Sequence, residues 1–258
     1  MANLSDAYAN AAYIPGGPEF PARWAEAAAA FRTAHRPEDI PYGEHPRERL
    51  HLVRPEGTPR GLVVFVHGGY WMAFGREDFS HLAAGPLVRG WAVALPSYPL
   101  CPEVGIGAIV RANARALDRA AREVEGPIHL TGHSAGGQIV ARLACADLPL
   151  AVRDRLGRVV PISPLSNLLP LRQTGMNETL RLSEAEAVAE SPMLRPTPQV
   201  PVTVWVGEVE RPAFRDQALW LSRAWDAPLV VDPGRHHFDV IAGLEEPDSP
   251  LTRTVLGE

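Results

Sequence analysis

The chain has 258 residues, 46% of them hydrophobic and 21% charged, with a net charge of −5. That make-up fits one globular α/β domain with a sizeable core, and excludes a disordered or fibrous chain. No basic cluster offsets the negative balance, which argues against nucleic acid or an anionic membrane surface as partner; all 25 basic residues are arginine, which excludes Schiff-base chemistry and a Ser–Lys dyad.

The two cysteines, Cys101 and Cys145, lack metal-type spacing, so reduced thiols and a cytoplasmic location are expected. No basic segment followed by an apolar one opens the chain, and no apolar run reaches membrane-spanning length. The 26 prolines are scattered and mark loops. The chain reads as a single domain over 1–258, and nothing in it sets an oligomeric state.

Residues 1–20 read as an arm with little periodicity. A helix is expected over 21–36, where Trp24, Ala27, Ala28 and Phe31 recur at helical spacing. Residues 49–53 alternate as an early strand, and 61–66 form an apolar β-branched run suited to a strand buried on both faces. A helix over 78–89, a buried strand over 91–95 and a long helix over 104–124 follow. Residues 127–130 form a strand that enters Gly132-His133-Ser134-Ala135-Gly136, and a helix-prone run follows from Gln138 to Cys145. Further strands are expected at 158–163, 202–206 and 229–231, with a helix at 214–225 and a terminal helix starting near Val240. Residues 164–199, proline-rich with short helical patches, read as a small cap-like excursion.

Strands alternating with helices imply βαβ units and a mostly parallel central sheet flanked by helices. In such sheets the site lies at the carboxyl ends of the strands, and each chemically interesting stretch here directly follows an expected strand. Gly-x-Ser-x-Gly between strand and helix is the nucleophile elbow of the α/β-hydrolase fold. It lifts the Ser134 hydroxyl out of the sheet at a helix N-terminus, where backbone N–H groups face developing negative charge. A serine needs a base, and the base needs an orienting acid, in the chain order Ser, acid, His.

Two acids follow the strand that ends at Val206. Glu210 is favoured over Glu208 because it has more loop in which to turn back toward a histidine. Two histidines follow the strand that ends at Val231, and His237 is favoured over His236. His67-Gly68-Gly69-Tyr70 matches a glycine-rich oxyanion loop. The N–H groups of Gly69, Tyr70 and Ala135 are the expected donors, Gly68 lets the backbone approach, and His67 reads as a brace. Tyr70, Trp71, Phe74 and Tyr98 fall in loops at the edge of this site and suggest a pocket for an aromatic or apolar substrate. His129 and His133 straddle a strand-to-turn junction rather than one helix face, and no dinucleotide or P-loop motif is present. Neither metal nor cofactor is therefore expected.

Several of these stretches resemble the α/β-hydrolase kynurenine formamidases (arylformamidases). His67-Gly68-Gly69-Tyr70-Trp71 resembles their His-Gly-Gly-x-Trp motif, and Gly132–Gly136 is similar to their elbow. Tyr98–Pro102, Met176-Asn177-Glu178 and Glu186–Pro192 also resemble segments of that family. Glu210–Phe214 resembles its Asp-x-Pro-x-Phe stretch, and His237–Val240 its histidine motif. The resemblance implies metal-free hydrolysis of N-formyl-L-kynurenine, with Ser134 attacking the formyl carbon, His237 as base and water releasing a formyl-enzyme. Glu210 stands where the family has Asp, one methylene longer. Esterases share the same motifs, so a carboxylesterase of short acyl or aryl esters is the alternative, and a catalytically dead binding scaffold a third reading.

Overall fold

In the computed structural model, which describes residues 3–258, eight strands form one sheet: β1 (Glu38–Pro41), β2 (Arg49–Val53), β3 (Leu62–Val66), β4 (Ala92–Pro96), β5 (Ile128–His133), β6 (Leu156–Ile162), β7 (Val204–Gly207) and β8 (Leu229–Asp232). Their order is β1-β2-β4-β3-β5-β6-β7-β8. β2 alone runs against the others, antiparallel to both β1 and β4, and the remaining neighbours pair in parallel. Eight helices accompany them: α1 (Phe20–His35), α2 (Ala84–Val88), α3 (Ile106–Ala121), α4 (Ala135–Ala144), α5 (Asn177–Leu180), α6 (Glu184–Ala189), α7 (Pro212–Trp225) and α8 (Pro250–Leu256).

The two-residue period of a strand explains how β3 serves two layers at once. Leu62, Val64 and Val66 pack with Ile106, Ile109 and Leu117 of α3 and Ile139 and Leu143 of α4. Val63 and Phe65 face the other way, into Trp24 and Phe31 of α1 and Leu251 and Val255 of α8. A third cluster ties Val204 and Val206 of β7 to Leu221 and Trp225 of α7. The strand ends are thereby fixed from both sides, and the loops that leave them meet at one edge of the sheet.

Three expectations differ from the structure. Residues 76–88 are two short 3₁₀ turns and the five-residue α2, because Gly85-Pro86 interrupts regular helix: Pro86 has no N–H, and a Cβ on Gly85 would lie 2.6 Å from the Leu244 carbonyl. The terminal helix begins at Pro250 rather than near Val240. Pro247 and Pro250 stop a continuous helix, and the Ser249 hydroxyl caps the short one by accepting from the Thr252 amide at 3.0 Å. β1 was not expected, since Glu38–Pro41 shows no apolar alternation and takes its order from pairing with β2.

Cys101 and Cys145 are free and buried. No helix among the described residues is long and apolar enough to cross a membrane.

Burial holds five of the nine histidines toward the neutral form. His67 is pushed down to about 3, and His51 and His81 to about 4, each chiefly by removal from water. The unfolded chain protonates these rings near their ordinary values while the folded chain does not. Their contribution is therefore intact above that range and is lost as pH falls through it, at up to about 1.4 kcal/mol per pH unit per histidine. The urea midpoint is expected to drop clearly between about pH 7 and about pH 5; a flat midpoint over that range contradicts the burial of these rings.

Candidate active site

Ser134 joins β5 to α4 with φ 57° and ψ −115°, a left-handed conformation for a non-glycine residue. Such strain costs about 1–3 kcal/mol and persists only where neighbours over-determine it. Here the Ser134 amide donates to the Ile162 carbonyl at 2.9 Å, and its carbonyl accepts from Gln138 at 3.1 Å. The turn also needs glycine: a Cβ on Gly136 would lie 2.0 Å from the Val66 carbonyl oxygen, and one on Gly132 would lie 2.5 Å from that of Gly136. The elbow is pressed directly against the end of β3, where the glycine-rich loop begins.

That loop is itself strained. Gly69, Tyr70, Trp71 and Phe74 all have positive φ, at 99°, 51°, 59° and 71°. Its anchor is Trp71, whose side chain is fully buried and whose indole N–H donates to Gln138 Oε1 at 3.1 Å. The Trp71 carbonyl accepts from the Cys101 amide at 2.8 Å. His67, lying between Tyr98 and Phe79, bonds through Nδ1 to the Gly68 carbonyl at 2.8 Å. The Tyr98 ring stacks on His67 with centroids 4.3 Å apart, and its hydroxyl donates to the His67 carbonyl at 2.9 Å. Trp71 and Tyr98 therefore do not face substrate, contrary to expectation. Both are consumed in holding the loop, a role their N–H and O–H handles suit once the rings are buried. Among the described residues the amides of Gly69, Tyr70 and Ala135 have no hydrogen-bond acceptor.

The choices left open between neighbouring residues are separated by geometry. Glu210 and His237 are buried at 5% and 3% exposure, and His237 Nδ1 lies 2.6 Å from Glu210 Oε2. The second oxygen, Oε1, accepts from the Gly207 amide at 2.8 Å and from the Ser163 hydroxyl. Glu208 is exposed and accepts from the Gly234 amide at 2.9 Å. His236 turns away, edge-on to Phe20, and its Nδ1 accepts from the Phe238 amide at 3.1 Å. The extra methylene of Glu210 is accommodated by the Gly207–Glu210 turn, in which the Glu210 amide donates back to the Gly207 carbonyl at 3.3 Å. With Nδ1 held by the carboxylate, the other ring nitrogen of His237 is left available. Phe214 packs against the His237 ring at 4.2 Å and His133 at 4.6 Å. Burial holds the His133 imidazole well below its usual range, so a neutral ring adjoins His237.

Ser134, His237, Gly68, Gly69 and Tyr70 line one cavity of about 460 Å³. Its walls carry six aromatic rings: Tyr8, Trp24, Tyr70, Phe74, Phe79 and Phe238. Trp24 is the hub, edge-on to Phe74 at 5.9 Å and to Phe238 at 5.4 Å. Of the four aromatic residues singled out in the sequence, Tyr70 and Phe74 line this cavity. The reading of the sequence missed Ser163, although it directly follows β6 as the other site residues follow their strands. It also missed Tyr8, Asn10, Trp24 and Phe79, which come from the arm, from α1 and from the stretch before α2. The 164–199 segment rests on the helices, held in part by Gln138 Nε2 donating to the Glu190 carbonyl at 2.9 Å; it supplies Gly175 and Met176 to the wall.

A strained serine at a helix N-terminus, the imidazole of a buried carboxylate–imidazole pair and a strained glycine loop meet at one cavity. Residues 63–256 match the Alpha/beta hydrolase family, and the chain belongs to it. Kynurenine formamidase from Salmo salar is 27% identical over 236 residues, covering 84% of this chain and 80% of its own length. That of Drosophila melanogaster is also 27% identical, over 84% of this chain and 79% of its own. A solved structure from a Silicibacter species, described as a candidate thioesterase, is 51% identical with a TM-score of 0.97, covering 99% of this chain and 100% of that one. An esterase from Pyrobaculum calidifontis shares the fold at a TM-score of 0.71 with 20% identity, over 93% of this chain and 91% of its own. The chain is a hydrolase of the α/β fold, related in sequence to kynurenine formamidases.

Ser134→Ala and His237→Ala should each remove nearly all turnover, by as much as about 10⁶, and Glu210→Gln less, by about 10⁴. Glu208→Gln should leave turnover within about twofold. Steady-state kinetics on a chromogenic ester checks the set; greater damage from Glu208→Gln than from Glu210→Gln contradicts the assignment.

Proposed function

We propose that this chain hydrolyses aryl formamides, N-formyl-L-kynurenine first among them, through Ser134, His237 and Glu210. Ser134 Oγ attacks the formyl carbon while His237 takes its proton, and Glu210 holds the imidazole in the tautomer that can accept it. Negative charge then builds on the formyl oxygen, where the free amides of Gly69, Tyr70 and Ala135 are available as donors. Loss of one such donor costs roughly 10²–10³ in turnover. The C–N bond breaks as His237 returns the proton to the departing aryl amine. Water, activated by the same histidine, then releases formate and frees Ser134. The observation that carries this reading is the aromatic-walled cavity of about 460 Å³ onto which Ser134 and His237 open. Planar anilide rings match walls of edge-on aromatic side chains. The kynurenine formamidase relatives support the same chemistry.

One observation favours a second reading, an esterase or thioesterase. The residues lining the cavity include no Arg, Asp or Glu. A zwitterionic amino-acid head would find no charged partner in those walls, whereas an uncharged acyl ester would need none. The 51%-identical relative described as a candidate thioesterase points the same way.

The experiment compares kcat/KM for N-formyl-L-kynurenine, for the uncharged analogue 2-formamidoacetophenone and for p-nitrophenyl acetate, each with and without a chelator. Formamides turned over well above the ester, unaffected by chelator, are the expected result. Ester turnover with neither formamide cleaved moves the assignment to the second reading.

A further inference from the structure

We propose that the N-terminal segment, residues 3–19, is the specificity wall of the Ser134 cavity and that Arg211 is the positioning residue that latches it there; the proposal rests on Ser134 being the nucleophile. Five residues of the segment, Ser5, Tyr8, Ala9, Asn10 and Ala11, line the cavity. Tyr8 anchors the segment in the main core, with Leu4 and Ala7 packed against that core, while Tyr13 is 54% exposed. Polar ties then fix the segment to the loops that build the site.

On one side the Tyr70 hydroxyl donates to the Tyr8 carbonyl, joining the segment to the glycine-rich loop. The Leu4 amide donates to the Gln173 carbonyl at 3.0 Å, and the Gly175 amide to Ser5 Oγ at 2.8 Å. On the other side Arg211, next in sequence to Glu210, pairs with Asp6 at 2.8 Å. Its guanidinium also lies 3.5 Å above the Tyr13 ring, and the Tyr13 hydroxyl donates to Asp6. Tyr8 is the inner face of this strap. Its hydroxyl accepts from Gln217 Nε2 at 2.9 Å, and its ring stands edge-on to Phe214 at 5.8 Å. Phe214 in turn packs on the His237 ring. One aromatic ring therefore separates the segment from the residue that accepts the Ser134 proton.

Two consequences follow from the energetics. The Asp6 side chain is 70% exposed, so its pair with Arg211 is a weak latch, easily opened by solvent and salt. Loosening it leaves the Ser134 machinery in place but costs substrates that fill the cavity one of their walls. Removing the Tyr8 ring does the opposite, since it opens room and admits bulkier groups.

The test measures kcat and KM for phenyl acetate and 2-naphthyl acetate in Asp6→Asn, Arg211→Gln, their double variant and Tyr8→Ala. Asp6→Asn and Arg211→Gln should each raise KM for the naphthyl ester by about two- to fivefold, the span of an exposed ion pair, with a smaller change in kcat. The double variant should be no worse than either single one, because both remove the same contact. Tyr8→Ala should shift kcat/KM by about tenfold toward the naphthyl ester relative to the phenyl ester. If that variant does not fold, Tyr8→Phe, which keeps the ring and loses the Gln217 bond, should raise KM for the naphthyl ester without that shift. Ratios unchanged across the set overturn the proposal. So does an Arg211→Gln variant that lowers kcat and moves the acid limb of the pH profile while Asp6→Asn does neither, because Arg211 then acts on Glu210 directly. Loss of the nucleophile reading itself is seen separately, as ester turnover that survives Ser134→Ala.

Discussion

The structure depends on how closely the elbow approaches the end of β3. Without side chains at Gly132 and Gly136, the β5–α4 turn comes against the Val66 and His67 carbonyls, where any Cβ would overlap backbone. That contact places the loop leaving β3 and the serine leaving β5 side by side, although 67 residues of chain separate Trp71 from Gln138, the pair that fastens the two together. The sheet order makes it attainable, because β3 and β5 are direct neighbours in parallel register over five residue pairs. Strain at Ser134 and along Gly69–Phe74 is then a consequence of the approach, held in place by buried groups rather than by the turns themselves.

Much of this was legible in the sequence because the physics is local. The buried strands 62–66 and 92–96 show as continuous apolar runs, and Ser134, Glu210 and His237 each come shortly after a strand. The Gly-x-Ser-x-Gly and His-Gly-Gly stretches state their own backbone needs. Between adjacent candidates, Glu208 or Glu210 and His236 or His237, sequence alone favoured one of each. What sets the two members of each pair apart in the structure is nonlocal: the Gly207 amide and Ser163 hydroxyl that hold the Glu210 carboxylate, and the Phe20 ring against which His236 packs.

What sequence did not reveal is which aromatics face inward to the scaffold and which face the cavity. Trp71 and Tyr98 sit in the same loops as Tyr70 and Phe74 and have the same composition cues, yet they are buried as braces because Gln138 and the His67 carbonyl lie within reach of their polar ends. The arm had no periodicity to read. Its order comes from Tyr70, Arg211 and Gln217, which lie 62, 205 and 209 residues from their partners. Contacts at that separation leave no pattern in a window of a dozen residues.

The central claim is that Ser134 is acylated in each turnover with His237 and Glu210 behind it. Rapid-quench reaction with p-nitrophenyl acetate, followed by peptide mass spectrometry, tests it most directly. The account predicts a burst approaching one equivalent of nitrophenol per chain and an acetyl group on the peptide that carries Ser134, both absent in Ser134→Ala. A burst with acetyl on another residue, or undiminished steady turnover in the Ser134→Ala protein, would contradict it.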